Sequence, residues 1–270
     1  MAYWKDKWEF TNSNEYEYKF AGNYGAKGEK RGKRKKATPE QIKKQNQCNK
    51  EKKMRRLIKA NFCTDDYWIT LKYPAGTRKS VEEVKEDLKT FLTDMRKEYK
   101  KRGDLFKFIY RIEIGKLGGV HIHILINRIN GNYHTDLIAK RCWLPEIINY
   151  ETLYEAGGYK DLANYIVKPL TEESYEQLNM FDEEEKKQFV KYSSSRNLIR
   201  PEPERKEYRR WTVKKLIKEG IKPTPGYYID KDSINFGKNR FTGMSYLQYT
   251  EYRIKEIKGK GQQVNERKNC

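Results

Sequence analysis

Several features that define common protein classes are absent from this sequence of 270 residues. Its four cysteines form no C-x-x-C pair, which argues against a zinc ribbon or a disulfide framework and predicts reduced thiols. No stretch approaches the ~18 consecutive apolar residues of a transmembrane helix, and the start, MAYWKDKWEF, lacks the apolar core of a signal peptide. The Walker A pattern of a nucleotide-driven motor is also missing. We therefore expect a cytoplasmic protein that does not bind membranes.

Positive charge is what the sequence has in excess, with a formal net charge of +20. Hydrophobic residues make up 36%, which is low, but 21 Tyr, 10 Phe and 5 Trp supply enough apolar surface for a core. A folded chain this basic usually binds a polyanion, most often nucleic acid. Its length fits one sizeable domain with appendages or two small domains.

Charge and pattern together predict three parts: a basic arm and helix in residues 1–60, the main domain in residues 61–205, and an accessory region in residues 206–270. The arm is expected to be flexible as far as residue 37, and the helix to begin at Thr38-Pro39-Glu40. This helix is either a solvated surface helix or, since it follows the arm, a contact for nucleic-acid phosphates. The residues expected to bind DNA are Lys33, Arg34, Lys35, Lys36, Arg55, Arg56 and, further along the chain, Arg196.

The apolar pattern of the main domain predicts an α+β fold. Strands are expected at residues 67–73, 105–114, 120–127 and 188–198, and helices at 81–103, 135–143 and 160–170. An acidic peripheral helix is expected at 172–186, a helix at 212–219 and strands within 226–253. The order β-α-β-β-α-β predicts an antiparallel sheet with helices packed on one face.

The predicted hairpin of residues 105–127 has one apolar and one polar face, because side chains alternate along a strand. His121 and His123 lie on the polar face, and an odd number of turn residues would place Glu113 opposite His121. An even number would place Glu113 on the other face. One carboxylate and two imidazoles suit Mg²⁺ or Mn²⁺ acting on a phosphoryl oxygen. The alternative is two histidines on a solvent-facing strand, and His134 is expected to be a surface residue.

A tyrosine with a nearby cation follows on the helix predicted at residues 160–170. Helical spacing places Asp161, Tyr165 and Lys168 on one side of it. A phenol is a poor nucleophile at neutral pH, and a lysine one turn away would favour phenolate and hold a phosphate. With 21 tyrosines in the chain, such a pair also arises by chance.

Taken together, these residues resemble the motifs of HUH endonucleases. TLKYP after the first predicted strand, E-x7-H-x-H at Glu113, His121 and His123, and Y-x-x-K at Tyr165 and Lys168 occur in the order found in that superfamily. The closest likeness is to rolling-circle replication initiators (Rep proteins) related to filamentous-phage gene II protein. It covers roughly residues 61–200 and includes the downstream segment SSSRNL.

The resemblance implies a ferredoxin-like antiparallel sheet whose central strand carries the H-x-H pair. It implies Glu113, His121 and His123 as ligands of Mg²⁺ or Mn²⁺, Tyr165 as the nucleophile and Lys168 as a cation near the phosphate. The substrate would be single-stranded origin DNA, nicked and rejoined through a 5′-phosphotyrosine, with a separate helicase and polymerase as partners. Some relatives use two tyrosines a turn apart. Tyr159 does not fit that spacing, which predicts a single nucleophile.

Two alternatives stay open from the sequence. A relaxase or transposase of the same superfamily would share the chemistry but act on a different DNA substrate. A non-catalytic nucleic-acid-binding protein would use the basic arm and the tyrosines to contact phosphates and stack bases.

Overall fold

A computed structural model describes residues 2–23, 25–33, 36–77, 79–115, 119–131, 133–145, 147–154, 159–169 and 192–254. The chain forms two compact units. We call Gln47–Arg200 the central unit, and Met1–Asn46 together with Pro201–Asn269 the two-segment unit. The predicted division into three parts at residues 60/61 and 205/206 stays a prediction.

The helices and strands of the described residues are numbered in chain order. Those up to residue 152 are β1 (Tyr3–Glu9), β2 (Ser13–Phe20), α1 (Pro39–Asn61), β3 (Tyr67–Lys72), α2 (Val81–Lys101), β4 (Phe108–Ile114), β5 (Val120–Ile126), α3 (Thr135–Cys142) and β6 (Ile147–Thr152). Those that follow are α4 (Lys160–Val167), β7 (Ser193–Ser194), β8 (Glu204–Tyr208), α5 (Val213–Glu219), β9 (Tyr227–Ile229), β10 (Asn235–Lys238) and β11 (Ser245–Arg253).

The central unit is built on an antiparallel sheet with the strand order β6-β3-β5-β4-β7. The predicted α+β class is confirmed, and β5, which carries the two histidines, is the central strand. Edge strand β6 was not predicted. Of the strand predicted at residues 188–198, the described part contains β7 alone, while residues 188–191 and the helix predicted at 172–186 lie outside the described residues.

One face of this sheet is covered by α2 and α3, as the strand alternation predicts. Helix α2 begins with a capping box, in which Ser80 and Glu83 each bond the other's backbone N–H. Its apolar positions recur at helical spacing and are buried against Ile69, Ile122 and Ile124 of the sheet. This cluster is the larger core of the unit and includes Trp143, just after α3.

The opposite face is divided between a second core and polar side chains. Helices α1 and α4 pack on its apolar end, where Ile109 and Leu125 are paired across the hairpin and fully buried. Helices therefore lie on both faces of the sheet, and the second face is left polar only beyond Ile109 and Leu125. That polar end carries the predicted metal-ligand residues.

The two-segment unit contains a second antiparallel sheet with the order β10-β11-β2-β1-β8, and β9 pairs with β11. The prediction of a flexible arm up to residue 37 is wrong for β1 and β2. In β2 the aromatic side chains alternate with charged ones, and Tyr16 and Tyr18 are buried with Tyr3 of β1 in a core that includes Leu247 and Tyr249. Aromatic burial on one face is thus enough to form strands from segments that are charged on average.

Three smaller expectations can be compared with the structure. Cys48 and Cys142 are free thiols, as the sequence predicts. Helix α5 lies where a helix was predicted. No helix in the described parts of the chain combines the length and the apolar character needed to cross a bilayer.

Candidate metal and nucleophile site

The register of the β4–β5 hairpin brings the predicted ligands together. Glu113 pairs with His121 and Arg111 with His123, so all four side chains share one face. On the other side of β5, Thr70 of β3 pairs with His123. Gly115 N–H donates to Gly119 O at 2.8 Å and closes the strands around the turn. The condition set by the sequence, that Glu113 lies opposite His121, is met.

Glu113, His121 and His123 form a group whose ligand atoms all lie within 4.8 Å of one another. Glu113 Oε2 is 3.8 Å from His121 Nε2 and 3.5 Å from His123 Nε2. The side chains of Glu113, His121 and His123 are 22%, 24% and 13% exposed, respectively. The group is therefore partly accessible to solvent, while its backbone belongs to strands β4 and β5. A phosphate can therefore approach it.

The hydroxyl of Tyr165 contacts two members of this group, Glu113 and His123. Tyr165 Oη donates to Glu113 Oε2 at 2.7 Å and is 2.8 Å from His123 Nε2. Helix α4 positions it by burying Ala163, Ile166 and Val167 in the second core, which turns Tyr165 toward the polar end of the sheet. The phenol oxygen thus contacts two of the three atoms that could hold a metal.

Trp68 of β3 supports both rings from the apolar side. Its indole stacks on the His123 imidazole with centroids 5.4 Å apart and an interplanar angle of 7°. The Tyr165 ring meets the same indole edge-on, at 5.9 Å and 89°. Trp68 therefore restricts the orientation of the imidazole and of the phenol together.

A continuous hydrogen-bond chain runs from Thr70 to Glu113. Thr70 Oγ1 is 3.1 Å from His123 Nδ1, while His123 Nε2 faces the Tyr165 hydroxyl. If the phenol donates to an ionised Glu113, its oxygen must accept from Nε2–H, and Nδ1 must then accept from the Thr70 hydroxyl. The hydroxyl can also accept, so the imidazole can change tautomer without losing this partner.

The electrostatics of the group keep Glu113 ionised and Tyr165 protonated. Burial alone would raise the pKa of the Glu113 carboxyl, but the neighbouring His121, Tyr165 and Arg111 lower this pKa to about 2. Burial, together with His121, lowers the pKa of His123 to about 4. Burial and the hydrogen bond to Glu113 raise the pKa of the Tyr165 phenol above its ordinary value. At neutral pH the group therefore offers one carboxylate and a neutral His123 imidazole.

The donor set fits a divalent cation. One carboxylate oxygen and two imidazole nitrogens lie close together, and two of these side chains, Glu113 and His123, already contact a polar atom, the Tyr165 hydroxyl. Mixed oxygen and nitrogen ligands suit Mg²⁺ or Mn²⁺. For His123 Nε2 to be a ligand, the imidazole proton must lie on Nδ1, and Thr70 Oγ1 would then accept it. The chain thus has the partner that this tautomer needs.

The structure places other predicted residues outside this group. Lys168 comes just after α4 and its side chain is exposed; among the described contacts, none joins its ammonium to Tyr165 or to the three ligands. Tyr159 precedes α4, as expected, and is buried in the second core. His134 is exposed, as expected.

The residues expected to bind DNA are dispersed. Lys33, Lys36 and Arg196 are exposed, and Arg34 and Lys35 lie outside the described residues. Arg55 is half-buried on α1. Arg56 is 8% exposed, so a direct phosphate contact is not supported for this side chain. The positions of the basic residues along α1 did not show which side of this helix is buried.

Three residues of the site were not identified from the sequence: Arg111, Thr70 and Trp68. All three lie on the same sheet face as the histidines, which strand alternation could have shown. Their partners could not be found this way, because pairing β3 beside β5 requires the strand order. Arg111 pairs with His123 in the hairpin, but the backbone oxygens of α4 that it contacts belong to residues more than 50 positions away.

The fold and site define a class: an α+β unit with a carboxylate–bis-histidine group and a tyrosine hydroxyl in contact with it. Residues 66–170 match the family model of the replication-associated proteins of the ORF2 and gene II protein type. This match confirms the resemblance to Rep proteins related to gene II protein, and it spans β3 to α4, including every residue of the candidate site. Neither a curated protein nor a solved structure matches the chain. The match supports a role in replication and contact with DNA.

Proposed function

We propose that this protein is a metal-dependent endonuclease that nicks and rejoins single-stranded origin DNA to initiate rolling-circle replication. The observation that carries the proposal is the position of the Tyr165 hydroxyl, 2.7 Å from Glu113 Oε2 and 2.8 Å from His123 Nε2. A nucleophile beside a metal-ligand group can attack a phosphate held by the same group. The family match over residues 66–170 supports the replication context.

In the proposed reaction, Tyr165 Oη forms a bond to the phosphorus of a DNA phosphodiester, and the bond from phosphorus to the 3′ oxygen breaks. The phenol releases its proton to solvent and the departing oxygen takes one up, which leaves a free 3′-OH and a 5′-phosphotyrosine. One phosphodiester replaces another, so a 3′-OH can reverse the step without nucleotide hydrolysis. This agrees with the absence of a Walker A pattern from the sequence.

Glu113, His121 and His123 would hold Mg²⁺ or Mn²⁺, which supplies Lewis-acid polarisation of the phosphate. Lys168, exposed just past the nucleophile helix, would be a cation for the phosphate or a flanking one. The 3′-OH would serve a separate polymerase, and strand separation would come from a separate helicase.

The test is a covalent-trapping assay with a labelled single-stranded oligonucleotide and Mn²⁺. The native protein should form an adduct that survives denaturing electrophoresis, and Tyr165→Phe should abolish it while still binding Mn²⁺ and DNA. Chelation of the metal should also abolish it. An adduct that persists in Tyr165→Phe would refute the assignment.

The same assay separates the alternatives. Salt-sensitive DNA binding without cleavage, unaffected by metal or by His121→Ala, would support a non-catalytic binding protein instead. Cleavage restricted to a transfer origin or a hairpin end would support a relaxase or transposase.

A further inference from the structure

Arg111 of β4 carries a buried guanidinium that contacts both the nucleophile helix and a ligand of the candidate metal site. Its side chain is 3% exposed. Nη1 donates to the main-chain oxygens of Tyr165, Ile166 and Lys168, at 3.1, 3.2 and 2.6 Å. Its Nε lies 3.0 Å from Glu113 Oε1 in an ion pair. One side chain thus joins two elements that separately carry the nucleophile and a ligand.

These contacts occur where a helix needs partners. The last carbonyls of an α-helix have no intrahelical donor, and the negative end of the helix dipole favours a cation. At the end of α4, the Arg111 guanidinium supplies both the missing hydrogen-bond donors and the positive charge. Gln47 of α1 adds a bond to the one carbonyl in this run that Arg111 does not reach, from Nε2 to Val167 O at 3.1 Å. The carbonyls at the end of α4 are therefore bonded by side chains of β4 and α1.

The contacts also form a closed ring through Tyr165. From Arg111 the ring passes to the Tyr165 carbonyl, along the tyrosine to its hydroxyl, to Glu113 Oε2, and from Glu113 Oε1 back to Arg111. Rotation or sliding of α4 would break at least one of these contacts. The ring therefore couples the position of the phenol oxygen to the position of the carboxylate.

We propose that Arg111 is a positioning residue that sets the separation between the Tyr165 hydroxyl and the metal-ligand group. The inference rests on the proposed function but concerns geometry that can be measured without it. Lysine cannot replace this residue, because a single ammonium lacks the planar fork that reaches several carbonyls and the carboxylate together. A displacement of the nucleophile by about 1 Å can lower a rate by roughly 10²-fold.

The kinetic test compares Arg111→Lys and Arg111→Met with a matched control. In the control, Arg102→Met, the lost guanidinium also bonds a helix carbonyl and a carboxylate, Glu98 O and Glu98 Oε2, both at 2.7 Å, but at the end of α2. Single-turnover adduct formation should fall roughly 10²-fold in both Arg111 variants. The oligonucleotide concentration for half-saturation should stay native, as should the rate of Arg102→Met.

A second readout does not depend on activity. With 3-fluorotyrosine incorporated at position 165, the native protein should give one ¹⁹F NMR line. Both Arg111 variants should shift or split that line, and Arg102→Met should leave it native. Because Arg111→Lys keeps the positive charge beside Glu113, it can be used for both measurements if Arg111→Met does not fold.

The outcomes distinguish the two proposals. A native ¹⁹F line together with a native adduct rate in Arg111→Lys would overturn the positioning role while leaving the nicking function in place. If the native protein forms no adduct, the nicking function fails, and the ¹⁹F comparison still decides whether Arg111 positions Tyr165.

Discussion

At the scale of single residues, the Thr70 hydroxyl contacts His123, one of the proposed metal ligands. It is the hydrogen-bond partner of Nδ1, the imidazole nitrogen that faces away from Tyr165. Removing such an outer partner from a metal-ligating histidine typically lowers metal affinity or activity by roughly 10- to 100-fold. We predict that Thr70→Val weakens Mn²⁺ binding by about that factor, measured by isothermal titration calorimetry.

Thr93→Val is the matched control for Thr70→Val. The Thr93 hydroxyl bonds Lys89 O on the exposed side of α2, so its loss should leave Mn²⁺ affinity native. Equal affinities for the native protein and Thr70→Val would show that Thr70 does not orient His123.

Tyr159 lies just before α4 and Tyr165 lies within it, and the two side chains differ in their surroundings. Tyr159 is 5% exposed and packs in the second core, with a left-handed backbone at φ 61°, whereas Tyr165 contacts the ligand group. We predict that Tyr159→Phe keeps adduct formation at the native level, because its ring stays in the apolar core. An oligonucleotide trapping assay checks this, and loss of the adduct with an intact fold would indicate a second functional tyrosine.

The candidate site shows how far residue patterns reach. Strand alternation was sufficient to group His121 with His123, because neighbours at i and i+2 share a face. Adding Glu113 to them depended on the turn length, which the sequence left open and the β4–β5 register resolves. The prediction that Tyr165 is the nucleophile had weak support from helical spacing alone and depended on the resemblance to HUH endonucleases. The contacts of Arg111 could not be foreseen, since main-chain oxygens of a distant helix leave no mark in the sequence.

At the scale of elements, α2 is the helix whose start is most clearly encoded. Ser80 Oγ accepts from Glu83 N–H, and Glu83 Oε2 accepts from Ser80 N–H at 2.8 Å. Replacing such a cap by alanine costs about 0.5–2 kcal/mol. We predict that Ser80→Ala lowers the free energy of unfolding in urea by this amount, while Ser80→Thr, which keeps a hydroxyl, stays close to native.

A measurement of Mn²⁺ affinity shows whether loss of the Ser80 cap affects only the stability of α2 or also the geometry of the sheet. Helix α2 packs on the apolar face of the central sheet, and the candidate metal ligands Glu113, His121 and His123 lie on the other face. Ser80→Ala should therefore bind Mn²⁺ with native affinity. A weakened affinity would mean that the cap also determines the geometry of the sheet.

Helices and strands with a regular spacing of apolar residues were predicted from the sequence. Strands that are stabilised by pairing with segments far away in the sequence were not. Helix α2 and the β4–β5 hairpin have regular apolar spacing and local partners. Strands β1 and β2 are rich in charge, and they are stabilised by β8 and β11, which lie about two hundred positions away. Strand β6 exposes most of its side chains at a sheet edge, so it lacks an apolar signature.

At the scale of the whole molecule, the net charge of +20 is the property most directly tied to DNA. Affinity for single strands should fall with salt at a slope of about −0.7 per phosphate contact, because bound cations are released. The slope therefore measures how many phosphates the protein contacts. It depends on which positive side chains are exposed and not already paired, which composition alone does not show.

Lys33 and Lys36 provide a test of this slope in the full chain, since both are exposed. If each contacts a phosphate, the double variant Lys33→Ala/Lys36→Ala should reduce the magnitude of the slope by about 1.4. The matched control, Lys89→Ala/Lys97→Ala, removes the same charge from lysines paired with Glu86 and Asp94 on α2, and should leave the slope native. Fluorescence anisotropy at several salt concentrations measures both. Because the two double variants change the net charge equally, equal slopes would assign DNA affinity to overall charge and reject the predicted role of Lys33 and Lys36.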